Sequence, residues 1–231
     1  MKFWSLGKIL FFLPVALFLG AVLFLWAILL ARFVGLWDGA ILNFLSWEWN
    51  PLTKHYGVLS LIVNSLLLAV FASSLAFSWA FGLALFLQGM GPRILQVPLN
   101  LLVRAMSSIP SIVFALGGAL FVVPYVRLYS DASGYSLLAT VLTLSFFLLP
   151  FQTKLCSAAF SAAQEKIGIS AEALGLSKLQ RIFWVLVPES RRALIAAASM
   201  GFCRSLGDTM IALLVSGNAP QLPDSIAYEQ I

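Results

Sequence analysis

A run of apolar residues from Ile9 to Ala31, 23 long, opens the chain and constrains everything after it. At 1.5 Å a residue a helix of that length crosses the ~30 Å hydrocarbon layer of a bilayer, which takes about 20 residues. Lys2 and Lys8 precede the run, as basic residues precede a signal peptide. The apolar region of a cleaved secretory segment is shorter, about 7–15 residues, so an uncleaved membrane helix is expected. Within lipid every backbone polar group must find its partner inside the protein, as it does in a helix. Four further apolar stretches follow, at Tyr56–Leu87, Val97–Val126, Leu137–Phe151 and Ala193–Ser216. The expected fold is all-α, a polytopic membrane bundle of about five spans forming a single domain over residues 1–231. Residues 1–55 are expected to hold the first span and an external loop, and 153–192 a cytoplasmic loop.

Composition agrees. Of 231 residues, 61% are hydrophobic and 10% charged, and the mean hydropathy is +0.98; a soluble domain is about half apolar and a quarter charged. The formal charge of +5 does not imply a nucleic-acid partner, because the basic residues are spread between apolar segments. That distribution carries topology. With the N-terminus in the cytoplasm, inside segments hold Lys2, Lys8, Arg93, Lys154, Lys166, Lys178, Arg181, Arg191 and Arg192, and outside segments hold Arg32, Lys54 and Arg127. Nine against three favours that orientation and puts the C-terminus outside. Trp37, Trp47 and Trp49 suit an interfacial belt. Cys156 and Cys203 fall in a cytoplasm-facing and an apolar segment, where no disulfide is expected. His55 lies in an outside loop without ligand partners, so no metal site is expected.

Arg204 and Asp208 are the charges that stand out inside the last apolar run. Four residues apart, they are expected to share one face of a continuous helix and to offset each other at rest. A guanidinium offers a planar fork of donors that suits an oxyanion. The competing reading is a structural pair that pins this helix to a neighbour. Asn64, Ser107, Ser108 and Ser111 either line a path or bond between helices, and Gly201, Gly207 and Gly217 suit close helix packing. Pro110 and Pro124 break the backbone ladder, as a fixed kink or as a hinge. Arg104, near the end of its span, reads as a snorkelling anchor.

The one long polar stretch, "KLCSAAFSAAQEKIGISAEALGLSKLQRIFWVLVPESRR", lies between the fourth and fifth spans. Its composition predicts two short helices around Gly175, the second ended by Pro188, projecting so as to dock in a partner's groove. The chain has no G-x-x-x-x-G-K-S/T loop to cradle nucleotide phosphates and no nucleophile–base constellation, so no catalytic residue and no cofactor of its own is expected.

This loop resembles the coupling loop of ABC importer permeases, whose pattern is Glu-Ala-Ala, three residues, Gly, nine residues, Ile, one residue, Leu-Pro. Gly175 is followed at that spacing by "VLVP", Val185 to Pro188, while the acidic half departs from the pattern: Ile169, Ser170 and Ala171 stand where Glu-Ala-Ala would. The resemblance implies a coupling helix near Ala171, Glu172, Ala173, Leu174 and Gly175, with Pro188 closing the motif. The segment "CRSLGDTMIALLVSGNAPQLPDS" resembles the end of Pst-type phosphate permeases, PstC-like through "GNAPQLP", with Asp208 where glutamate is usual. "SSIPSIVFALGGALFVVP", Ser107 to Pro124, is similar to the same family.

The resemblance implies a type I ABC importer permease that translocates inorganic phosphate across the bacterial inner membrane, with Arg204, Asp208 and Thr209 on the path. It implies an ATPase subunit that binds ATP, a second permease subunit (PstA-like or a second copy), an extracytoplasmic phosphate-binding protein and a lipid surround. The family's usual last helix is expected to be missing. A permease for sulfate, molybdate or tungstate, and a truncated non-transporting subunit, stay as alternatives.

Overall fold

The computed structural model describes residues 2–35, 45–47, 49–50, 55–129, 134–173 and 175–217. Side chains at positions 168–171, Glu172, Ala173, Leu174, Trp37 and the segment from Asn218 through Ser225 lie outside the described residues. The chain divides into two compact units, Met1–Leu59 and Ser60–Ile231.

The first unit is one long helix, α1 (Lys2–Gly35), followed by a two-residue antiparallel pair, β1 (Trp49–Asn50) and β2 (His55–Tyr56). Phe12–Arg32 within α1 is long and apolar enough to cross a membrane. Pro14 is accommodated inside the helix.

The second unit is helical among its described residues. It contains α2 (Leu59–Leu85), α3 (Arg93–Ser107), α4 (Ser111–Gly117), α5 (Val123–Arg127), α6 (Leu137–Ala173), α7 (Lys178–Gln180), α8 (Val187–Gly207) and α9 (Thr209–Val215). Two wide π-helical turns interrupt the sequence, at Gly118–Val122 and Arg181–Leu186, whereas after α2 the chain kinks at Gly89, whose φ is +112°. Each wide turn holds the residue four before a proline: Leu120 for Pro124 and Trp184 for Pro188. A proline lacks the amide hydrogen and its ring collides with that carbonyl. Widening the turn moves the carbonyl aside, so helix continues through Pro124 and Pro188.

Leu59–Met90 and Leu137–Ile167 are spans by length and hydropathy. The other two candidates are broken: α3 meets α4 at 102°, and α7–α8 meets α9 at 56°. With α1, the described helices give three straight spans and five when each bent pair is one span, matching the expected number.

Four local expectations are corrected. Val97–Val126 is not a kinked rod, because Ile109, which precedes Pro110, is pushed out of helical geometry and the chain turns through a right angle there. Helix α6 does not stop at Pro150 but runs through it to Ala173. The first helix of the polar island is the end of α6, not a separate short helix. Pro188 sits in the first turn of α8 instead of ending a helix.

Small residues let the helices close up. Ala69, Ala72, Ala76, Ala80 and Ala84 recur at three- and four-residue spacing on α2 and are all buried. Two apolar clusters result. One gathers Leu68, Ala72, Ala115, Leu144, Phe147, Leu148, Ile211 and Val215; the other gathers Ala84, Cys156, Phe160, Ile182, Leu186 and Ala197. Near their junction polar groups cross between helices. Ser145 Oγ donates to Ala72 O (3.1 Å), and Gln152 Nε2 donates to Ser73 O (3.4 Å).

Candidate functional site

The break between α8 and α9 falls within the polar motif of the last span. Gly207 ends α8, and Asp208 takes an extended conformation with φ −90° and ψ 94°. Its carboxylate turns back and accepts the Ile211 amide (3.2 Å), capping α9. The expected single helix face for Arg204 and Asp208 is therefore absent, because the four-residue spacing spans two helices that diverge by 56°. Among the described residues the two form no ion pair.

Asp208 and Thr209 instead line a cavity of about 300 Å³. Helix α2 contributes Leu61, Asn64, Ser65 and Leu68, and Leu137 opens α6 on one side. Ser205 comes from the last turn of α8, with Ala212 and Ser216 from α9. Ser205 Oγ is buried and makes no hydrogen bond within the described protein, so it has capacity for a bound oxygen. The lining offers hydroxyls, one carboxamide and one carboxylate. A cavity whose hydroxyls and carboxamide can both donate and accept, with one carboxylate, can replace part of the hydration shell of a small polyhydroxylated or oxyanionic solute.

Arg204 is not among the lining residues. Its guanidinium is exposed and lies over two rings of α6, Phe147 at 5.0 Å and Phe151 at 4.7 Å from the centroids. Sequence spacing brings Asp208 and Thr209 together and leaves Arg204 on a separate face. Asn64 is in the cavity; Ser107, Ser108 and Ser111 are not. The part played by Ser65, Ser205 and Ser216 escaped the sequence, where a serine in an apolar helix carries no sign of which way it faces.

At the opposite end of α6 and α8 lies the polar island. Helix α6 ends at Ala173, Gly175 takes the left-handed conformation (φ +67°), and Ser177 caps α7 in a reciprocal box with Gln180. A residue with a side chain resists positive φ, so the glycine supplies the reversal between the two arms. Lys166 on α6 and Glu189 on α8 are joined by an ion pair of 2.5 Å across it.

Spanning helices, two of them broken, with a polar cavity at one break, define a polytopic helical membrane protein of the kind in which interrupted helices border solute paths. Residues 80–228, more than half of the chain, match the binding-protein-dependent transport system inner membrane component family, and the chain belongs to it. It is 28% identical over 203 aligned residues to the phosphate transport system permease protein PstC of Xylella fastidiosa (strain 9a5c), with 79% of this chain and 63% of the relative covered. The protein of the same name from Haemophilus influenzae is 28% identical over 226 residues, covering 87% and 71%. The probable ABC transporter permease protein YqgH of Bacillus subtilis (strain 168) is 31% identical over 187 residues, covering 78% and 59%. The chain thus spans less than two thirds of the Xylella relative's length. The fold is similar to a chain of the MetNI methionine ABC transporter in an inward-facing form, with a TM-score of 0.55, 20% identity, and 63% of this chain and 68% of that one covered.

Proposed function

We propose that the chain is a membrane-spanning permease subunit of an ATP-driven importer of inorganic phosphate. The names borne by its relatives support the cargo, and the polar cavity at the α8–α9 break supports a path that includes Asp208 and Thr209. The observation that carries the reading is Arg204. A cation exposed on a spanning helix, unpaired by the carboxylate four residues on, is costly in lipid and must face water or another polypeptide. In a pair of permease subunits, related or identical, that face borders the space between them. Arg204 then draws the anion in, and the hydroxyls around Asp208 receive it.

Energy enters at the other end. An ATPase subunit binds ATP and grips the coupling segment at Ala171, Glu172, Ala173, Leu174 and Gly175, where α6 ends and the chain turns at Gly175. Because α6 is continuous from that turn into the bundle, and Pro188 sits where α8 begins beside it, a push on the turn moves two spans together. A separate extracytoplasmic protein delivers phosphate, and the N-terminus is cytoplasmic in the bacterial inner membrane.

The test is uptake of labelled phosphate in cells carrying Arg204→Ala, with the protein quantified in the membrane. Uptake is expected to fall by an order of magnitude or more, as when a positioned charge leaves a conducting site. Unchanged uptake at equal protein level removes the role. Sulfate and molybdate added in excess measure the cargo, and only arsenate, the closest phosphate analogue, is expected to compete.

A further inference from the structure

A second cavity lies at the end of the bundle away from Asp208. It is a cleft of about 730 Å³ between the late turns of α6 and the first turns of α8, with Lys166, Trp184, Pro188, Glu189, Arg191 and Arg192 in its wall. Three cations face one carboxylate. That carboxylate is already engaged by Lys166 at 2.5 Å, and neither Arg191 nor Arg192 forms an ion pair among the described residues. The cleft keeps an unbalanced positive charge.

Its depth follows from the helices. Leu137–Thr153 of α6 carries no charged residue and is about 25 Å long, most of a hydrocarbon core. Lys154 is the first charge after it. Ser190 Oγ donates to Ala159 O (3.3 Å), which sets the two arginines level with a point about 5–6 Å beyond Lys154 along α6. That is headgroup depth. Trp184, 70% exposed, adds an indole to the same wall, and tryptophan beside basic residues is the composition of a membrane interface. One turn deeper on the Arg191 face, Ile195 is 66% exposed and carries the surface on toward the acyl region.

We propose that this cleft binds the headgroup of an anionic phospholipid, with its phosphate held between the guanidinia of Arg191 and Arg192 and its glycerol against Trp184. A phosphodiester suits two forked donors, and basic pockets between spanning helices take such headgroups. The exposed apolar residue directly above the arginines favours lipid over an acidic protein surface, which would bring polar groups to that place.

The experiment uses the full chain in detergent, followed by thermal unfolding and by native mass spectrometry. Mixed micelles containing phosphatidylglycerol or cardiolipin are expected to raise the midpoint and to leave one lipid per chain; phosphatidylcholine and sodium phosphate are not. The Arg191→Gln/Arg192→Gln variant is expected to need about thirtyfold more anionic lipid for the same shift. Arg191→Lys/Arg192→Lys, which keeps charge, guards against misfolding and is expected to retain most of the binding. Equal stabilisation by phosphatidylcholine, equal binding by the glutamine variant, or full competition by sodium phosphate overturns the proposal. So does a soluble protein partner whose binding needs the two arginines while lipid binding does not. Phosphate uptake plays no part in these readouts, so the site stands or falls apart from the transport reading.

Discussion

Gly201→Ala tests how α6 and α8 are joined. A Cβ built at Gly201 falls 1.7 Å from Gln152 Nε2, 2.6 Å from its Cδ and 3.0 Å from its Cγ. The collision is with the whole end of the side chain, so a rotation of the amide alone does not relieve it. Gln152 is fully buried, its Nε2 bonds Ser73 O on α2 at 3.4 Å, and its Oε1 has no partner. Either α8 moves away from α6 or the glutamine leaves its seat. Overpacking of this kind costs about 1–3 kcal/mol, and stranding the amide adds about 1–3 kcal/mol, giving a loss of roughly 2–5 kcal/mol against a total stability of about 5–15 kcal/mol. For a chain of this size the melting midpoint should drop by at least about 4 °C. Thermal unfolding in detergent of the wild type, Gly201→Ala, Gln152→Ala and the double variant reads this directly. The double variant is expected to recover most of the stability lost by Gly201→Ala, since the two atoms that collide are no longer both present. A Gly201→Ala protein that melts with the wild type, or a double variant whose loss is the sum of the two singles, refutes the wedge.

Two local changes follow from the helix ends. Asp208→Ala removes the side chain that accepts the Ile211 amide and is expected to destabilise α9 by about 1 kcal/mol, while Asp208→Asn keeps the cap and stays within a few tenths of wild type; hydrogen exchange at the amides of residues 209–212 separates them. Gly175→Ala meets no neighbouring atom but must hold φ +67°, a strain of about 1 kcal/mol. Limited proteolysis around residue 175 should quicken while the midpoint of the rest of the bundle holds; unchanged cleavage would mean that the turn adopts another geometry.

The fold class was legible because the bilayer allows so few answers: runs of 20 or more apolar residues become helices. Breaks were harder. Pro110, Pro124, Pro150 and Pro188 look alike in the sequence, yet only the first ends a helix, together with a reversal of 102°. Pro124 and Pro188 follow turns that widen to release the clashing carbonyl, and Pro150 is absorbed within α6. Which outcome prevails depends on packing that spacing does not reveal. The polar cavity was half legible. Asp208 and Thr209 stand out as polar residues in an apolar run, whereas Ser205 matters because Gly207 ends the helix two residues later and turns the following segment away. The arginine was misplaced for the same reason: the four-residue rule holds only on an unbroken helix.

That break decides the electrostatics of the whole span. On a continuous helix Arg204 and Asp208 would share one face and offset each other. With the helix broken, the carboxylate is spent on a backbone amide and the cation is left over Phe147 and Phe151. Each aromatic face returns about 0.5–2 kcal/mol to a guanidinium, so the two together return about 1–4 kcal/mol. Burial of an arginine at the centre of a spanning helix costs about 2.5–3.5 kcal/mol even on insertion scales that allow for snorkelling. The rings offset only part of that cost over most of this range, and the proposed path assigns the remainder to water or a second polypeptide beside Arg204. An Arg204→Met variant separates these cases without any transport assay: it should leave the bundle's melting midpoint in detergent nearly unchanged but weaken association with whatever polypeptide covers that face. If instead it stabilises the lone chain in lipid by the full 2.5–3.5 kcal/mol, the arginine faces lipid after all.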